Sequence, residues 1–222
     1  VIMPRLARLH AHGDHGEVRR VYDGATQLVG ITAGSAAATM AWCAEPLMYA
    51  WTGSREIADN TAQVLRLYAI GNGLLALSAF PFYLQYARGT LRYHFVGNLI
   101  MGLALIPAIL VAASNYGAVG AGGAWVAVNA MYLLLWVAYA HRQLEPGLHL
   151  QWLLRNVLSV ILPALLLGAI FGFVQLNPDD RLMSFLYSLS FGSACLAGAA
   201  AGSSSARQAI SQHLGRRHGA RD

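Results

Sequence analysis

Apolar residues along this chain neither alternate nor mark one narrow helical face. They fill whole stretches, divided by short polar segments. A helix rises about 1.5 Å per residue and a bilayer core is about 30 Å thick, so about 20 apolar residues make one crossing. Six runs have that length: Ala25–Ala44, Val64–Tyr86, Phe95–Ala113, Ala118–Ala140, Val157–Leu176 and Leu182–Ala201. The pattern predicts an all-α fold, a polytopic membrane helix bundle of about six spans. Val1-Ile2-Met3-Pro4 reads as the last turn of a seventh helix at the N-terminus.

The first and last runs are rich in Ala, Gly, Ser and Thr. That lowers their hydropathy, but small residues suit helices that pack closely inside a membrane. Gly30/Gly34, Gly168/Gly172 and Gly198/Gly202 repeat at a spacing of four, which puts each pair on one helix face. Close helix contact is expected at one or more of these pairs.

Composition agrees with lipid as the solvent. The chain is 56% hydrophobic and 11% charged, where soluble domains are about 25% charged. Mean hydropathy is +0.46. The net charge of +5 raises nucleic acid as a partner, but the distribution of charge excludes it, because no basic stripe or aromatic-basic module is present. The arginines instead follow the loops. Segments around Arg5–Arg20, Arg88–Arg92, Arg142–Arg155 and Arg207–Arg221 hold twelve of the fifteen, and the alternate connections hold Arg55, Arg66 and Arg181. Such alternation is the positive-inside pattern, and it predicts a cytoplasmic N-terminal segment and tail. Trp42, Trp51, Trp136 and Trp152 fall near proposed span ends, as an interfacial belt would; Trp125 does not.

Little in the polar segments suggests chemistry. His10, His12 and His15, with Asp14 and Glu17, invite a metal reading. Zinc needs ligands held in fixed geometry, and Gly13 and Gly16 loosen this loop, so we expect no metal. Tyr116–Gly123, "YGAVGAGG", contains glycines spaced as in dinucleotide-binding turns, but it joins two apolar runs and has no strand before it. A tight turn is expected there. Cys43 and Cys195 lack the spacing of a disulfide or zinc framework. We expect no cofactor and no enzyme activity. The connection "HRQLEPGLHLQWLLRN" is expected to form a short interfacial helix with Leu148, Leu150 and Trp152–Leu154 toward lipid.

Polar residues inside the runs are stronger leads, because burying them in lipid costs free energy. Asn72, Asn98 and Asn129 stand in three different runs, and Arg66 lies in the first turn of Val64–Tyr86, from which it can snorkel outward. Each asparagine either bonds a neighbouring helix or lines a polar cavity. In "RLYAIGNGLLALSAFPFYLQYARG", Arg66–Gly89, the residues Tyr68, Asn72, Ala76, Ala79, Tyr83 and Tyr86 recur at three and four and share one face. Ile70, Leu77 and Leu84 occupy the other. The tyrosines suit a substrate-facing stripe or an interfacial belt. Pro81 bends this helix. Gly71, Gly73, Pro81, Pro107 and Pro163 are the candidate packing and hinge positions.

Two stretches carry a family resemblance. "MPRLARLHAHGDHGEVRRVYDGATQLV" matches at Met3, Pro4, Leu6, Gly13, Asp14 and Tyr22 a recurrent segment of the multidrug/oligosaccharidyl-lipid/polysaccharide exporter superfamily, although Arg5-Leu6-Ala7 lacks the usual serine. "YAIGNGLLALSAFPFYLQYARGTLR", Asn98 and "YGAVGAGGAWVAVN" are similar to its polysaccharide flippase branch. The resemblance covers about residues 1–145. It implies the C-terminal lobe of a twelve- to fourteen-helix exporter at 1–145, two additional spans within 146–201, and a basic cytoplasmic tail at 202–222. The chain is then a C-terminal half, whose partners are the bilayer and the N-terminal half of the same protein. The implied substrate is an undecaprenyl-pyrophosphate-linked glycan for O-antigen, capsule or exopolysaccharide, flipped across the bacterial inner membrane by alternating access with an ion gradient. Arg66, Tyr68, Asn72, Tyr83, Arg88, Asn98 and Asn129 are the expected path residues. A drug/cation antiporter of the same superfamily is the alternative, disfavoured because no Asp or Glu lies mid-span; a membrane-embedded biosynthetic enzyme is another, and it lacks a large outer loop.

Overall fold

The computed structural model describes residues 2–173 and 180–208, which are helical almost throughout, with no strand among them. The last residues assigned to the fifth span, the turn at Asp179 and the tail from 209 onward lie outside the described residues.

α1 (Ile2–Ala11) ends at a left-handed Gly13, and α2 (His15–Val29) begins under an Asp14 cap whose Oδ1 accepts the Glu17 amide at 3.0 Å. α2 runs through a π turn at Gly30–Gly34 into α3 (Ser35–Trp42), giving one rod that contains the first apolar run. Cys43 leaves helical geometry and turns the chain into the short α4 (Ala44–Thr52). Gly53 at φ +73° closes α4, a conformation other residues rarely adopt.

α5 (Arg55–Ser78) starts about two and a half turns earlier than the apolar run that predicted it. Ser54 explains the difference: its Oγ accepts the Ile57 amide, so a polar helical extension forms before the apolar part. Arg66 is therefore mid-helix, not in a first turn. The helix breaks at Ala79, and α6 (Phe80–Ala87) carries Pro81 in its first turn, where the missing amide hydrogen costs nothing.

α7 (Arg92–Met131) continues through a π turn into α8 (Val137–Leu144), a helical stretch of 53 residues. Straight, it would be about 80 Å long, more than twice a bilayer core. Gly117, at φ 61° and ψ −148°, breaks it into 92–116 and 118–144. Trp136 Nε1 then donates to Tyr93 O at 3.2 Å, so the two parts lie side by side as a hairpin. The glycine-rich turn is thus a reversal, as expected. Pro107 and Pro163 sit in continuous helix.

α9 (Leu148–Trp152), a π turn and α10 (Ser159–Phe173) form another rod, and α11 (Arg181–Gly202) is the last. The expected separate interfacial helix is instead the start of this rod. Leu150 and Leu154 are exposed, but Leu148 and Trp152 are fully buried, because Trp152 Nε1 finds the Thr26 hydroxyl at 3.0 Å inside the bundle.

The molecule is a polytopic membrane bundle. Among the described residues, four helical stretches are long and apolar enough to cross a bilayer, and one of these doubles back at Gly117. Its apolar side chains face outward as well as inward: Leu103, Ile106, Leu110 and Val111 are all largely bare. Packing inside uses small residues. Gly30 and Gly34 meet Val160 and Ile161 of α10, Gly168 meets Trp42, and Gly198 and Gly202 meet Pro163 and Ser159. Both members of the first and last predicted glycine pairs, and Gly168 of the second, therefore contribute to helix contact.

Candidate functional site

The expected stripe on α5 and α6 separates by exposure in part: Leu77 and Leu84 of the opposite face are buried, but Ile70 is exposed. Gly71, Leu77, Phe80 and Leu84 are buried against the bundle. Asn72, Ala79 and Tyr86 are exposed on the other side, with Tyr68, Ala76 and Tyr83 half-buried between. Asn72, Ala79 and Tyr86 therefore face away from the core, whereas Tyr83 packs against it. Asn72 makes no hydrogen bond among the described residues.

What supports this stripe is tight packing behind it. Trp125 lies on Gly71, where a Cβ would come 2.6 Å from Nε1, and its ring stacks on Tyr68 at 6.3 Å between centroids. Gly73 faces Ala37, and Gly122 faces Leu67 at 2.9 Å from a built Cβ. Asn129 is fully buried and donates to Trp125 O at 2.8 Å. Its Oδ1, and Trp125 Nε1, have no partner among the described residues. A donor and an acceptor thus remain free inside the bundle, just behind Tyr68.

The two arginines of the stretch end on carbonyls. Arg66 Nε donates to Ala41 O at 2.8 Å, in the last turn of α3. Arg88 donates to Leu144 O, at the end of α8, and pairs with Glu145 at 3.6 Å. Helix C-termini carry unpaired carbonyls and partial negative charge, so a guanidinium satisfies both. Asn98 is exposed and bonds His94 at 2.9 Å on its own helix. The structure thus brings Tyr68, Asn72, Tyr83 and Arg66 onto one helical unit, places Asn129 behind it, and leaves Asn98 on the exposed start of α7.

A second polar group lies at the arginine-rich end and is absent from the sequence-based expectation. Tyr22 and His141 are 2.7 Å apart, and His141 faces His149 Nδ1 to Nδ1 at 3.1 Å. Two imidazoles meeting this way share one proton. Gln27 donates to Asn156 at 2.8 Å and accepts from the Ser203 hydroxyl at 2.7 Å and the Ser205 amide at 3.0 Å. Asn156 donates to Asp23 at 2.6 Å. Burial pushes the Asp23 carboxyl up, and Arg19 and that Asn156 bond oppose the shift. Glu145 joins Arg19 at 3.3 Å and Arg88 at 3.6 Å. These bonds fasten α2, α6, α8, α9 and the end of α11 to one another. Gln27 is the one member that an in-span polar residue could have signalled.

His10 and His15 approach ring to ring at 5.8 Å, but no three metal-ligating side chains gather among the described residues.

Compared with known proteins, the chain matches a family model described as Lipid II flippase MurJ over residues 1–192. No curated protein and no solved structure matches.

Proposed function

Because the chain belongs to the lipid II flippase MurJ family, we propose that it forms part of a transporter moving lipid II, the undecaprenyl-pyrophosphate-linked peptidoglycan precursor, across the bacterial inner membrane. The family is one of membrane flippases for a lipid-linked precursor, so the chain is a transporter and not an enzyme. The observation that carries the reading is the family match over most of the chain. O-antigen and exopolysaccharide units share the same lipid and pyrophosphate; the match favours the peptidoglycan precursor among them.

The exposed face of α5 and α6 supports a path along this helix. Asn72 offers an amide to sugar or pyrophosphate oxygens, and Tyr68 and Tyr83 offer rings and hydroxyls to the glycan. Arg66, within α5, and Arg88, just after α6, lie 22 positions apart on either side of the break at Ala79. They place positive charge at the two ends of the stripe, where a pyrophosphate would enter and leave. Asn98 adds an amide near one mouth, and Asn129 steadies Trp125 behind the stripe. The break at Ala79–Pro81 is the hinge on which α6 rocks against α5, with Gly71 and Gly73 as packing points; Pro107 and Pro163 allow smaller bends. The arginine bias puts the N-terminal segment and the tail in the cytoplasm. Residues 1–145 form the C-terminal lobe, and the spans within 146–201 are additions to it.

The test is genetic. Cells depleted of their own lipid II flippase receive the full-length gene. Restored growth supports the proposal; lysis at normal membrane abundance of the protein refutes it.

A further inference from the structure

α7 starts without a side-chain cap of its own: the residue before it is Leu91, which cannot accept a hydrogen bond there. The first amides of a helix need an acceptor from elsewhere. Gln85 of α6 supplies it. Its Oε1 accepts the His94 amide at 2.7 Å, its Nε2 donates to Pro81 O at 3.3 Å, and the residue is 1% exposed. A buried glutamine thus clamps the Pro81 turn of α6 to the first turn of α7. It fixes where the next polar side chains of α7 stand.

Those side chains are His94 and Asn98, about one turn apart. The half-buried His94 ring lies on Phe82, with 4.6 Å between centroids, and Phe82 in turn is 6.3 Å from the exposed Tyr86. Asn98 is exposed, and its Nδ2 lies 2.9 Å from His94 Nε2. An amide nitrogen only donates, so Nε2 is the acceptor and the imidazole proton sits on Nδ1. One N–H of Asn98 is spent on this bond. The other N–H, and Oδ1, have no partner among the described residues. His94 therefore holds the amide and leaves one donor and one acceptor free, beside an aromatic shelf.

These free groups select among the parts of a lipid-linked glycan. A pyrophosphate offers acceptors and no donor, so it opposes Oδ1. A peptide amide points its N–H and its carbonyl in opposite directions, so it meets only one of the two groups. A pyranose carries polar groups on neighbouring ring carbons. One donates to Oδ1 while the next accepts from the N–H, and the C–H face of the ring rests on Phe82 and Tyr86. A sugar ring is the ligand that uses every free group present.

We propose that Phe82, Tyr86 and Asn98 form a subsite for a sugar ring of the transported lipid at the arginine-rich mouth of the path, with His94 and Gln85 as positioning residues behind it. The inference rests on the reading of the chain as a transporter of a lipid-linked precursor, and adds which part of the substrate this end recognises. Asn98 touches the sugar. His94 acts through Asn98, by fixing its amide, and Gln85 acts through His94, by fixing the start of α7.

The test titrates three lipids into the purified full-length protein in detergent, with bound lipid counted by native mass spectrometry. They are lipid II, undecaprenyl pyrophosphate carrying a single N-acetylglucosamine, and bare undecaprenyl pyrophosphate. The wild type is expected to retain both glycosylated lipids in preference to the bare one. Asn98→Leu lowers retention of both by about tenfold, the loss of two neutral hydrogen bonds, and leaves the bare lipid unchanged. His94→Phe keeps a ring on Phe82 but removes the acceptor, and lowers the same preference by about threefold. His94→Gln restores an acceptor at the place of Nε2 and keeps the preference. Melting temperature without added lipid confirms that each variant is folded. An unchanged preference in Asn98→Leu overturns the subsite. So does an equal loss for the bare lipid, which would assign the site to pyrophosphate, or a loss confined to lipid II, which would assign it to the peptide. Wild-type preference in His94→Phe, or His94→Gln as weak as His94→Phe, overturns the positioning role. Each of these results leaves the transport reading standing. Failure of the wild type to retain any of the three lipids contradicts that reading, and this subsite with it.

Discussion

Gly71→Ala isolates the contact that positions the candidate path. The built Cβ overlaps the Trp125 ring, lying 2.6 Å from Nε1 and closer still to Cδ1. Carbon atoms attract best at about 3.5–4.0 Å, so the ring or the helix must retreat by about 1 Å or more. Neither moves freely. Trp125 is stacked on Tyr68, and one turn away Gly122 is pressed to Leu67. Overpacking of this kind costs about 1–3 kcal/mol. At roughly 2–4 °C per kcal/mol for a chain of this size, Gly71→Ala should lower the melting temperature in detergent by about 2–12 °C. Trp125→Leu in the same chain removes the obstacle, so the double variant should recover part of what Gly71→Ala loses relative to Trp125→Leu alone. The assay is thermal unfolding of wild type, both single variants and the double variant. If Gly71→Ala melts like wild type, or if the two losses simply add, Trp125 is not seated on Gly71 and the stripe is not held as described.

Three further outcomes follow from the polar layer. Gln27→Ala strips the bonds to Asn156, Ser203 and Ser205, leaving buried groups unpaired; a loss of about 1–3 kcal/mol is expected, with faster proteolysis at the end of α11. Glu145→Gln removes two half-exposed pairs, with Arg19 and Arg88, each worth at most about 1 kcal/mol, and the difference from wild type should shrink in high salt. His141, just beyond the fourth span, is held neutral by burial, with His149 and Arg19 adding to the effect, down to about 3. The unfolded chain takes up that proton below about 6.5, so stability is full above that pH and falls as pH drops toward 3, by up to about 1.4 kcal/mol per unit. His141→Gln should flatten the melting curve against pH; an unchanged slope would assign the effect to other groups.

The spans were legible because lipid demands long apolar runs, and the reversal at Gly117 was legible because glycines cluster there. Helix ends were less so. Hydropathy marks where lipid begins, whereas Ser54 starts α5 by capping an amide in a polar segment. The glycine spacings foretold contact but not its partners, such as Val160 for Gly30. Arg66 and Arg88 read as phosphate ligands, yet their nearest acceptors are carbonyls of α3 and α8, which no local pattern announces. The polar layer was hidden for the same reason: Tyr22 meets His141, and Gln27 meets Ser203, across more than a hundred positions. For Leu148 and Trp152, an interfacial position was inferred from composition, and tertiary packing placed them inside.

The central claim is that this family member carries lipid II along the exposed face of α5 and α6. Its most direct test is the amount of outward-facing lipid II in flippase-depleted cells, read by an externally added enzyme that cleaves the precursor. Wild-type full-length protein should restore cleavage. Asn72→Leu, exposed and without hydrogen bonds among the described residues, should leave abundance and melting temperature unchanged while cleavage falls toward that of the depleted strain. Wild-type levels of cleavage with Asn72→Leu and Tyr83→Leu combined would contradict the path, and no cleavage with the wild-type protein would contradict the function.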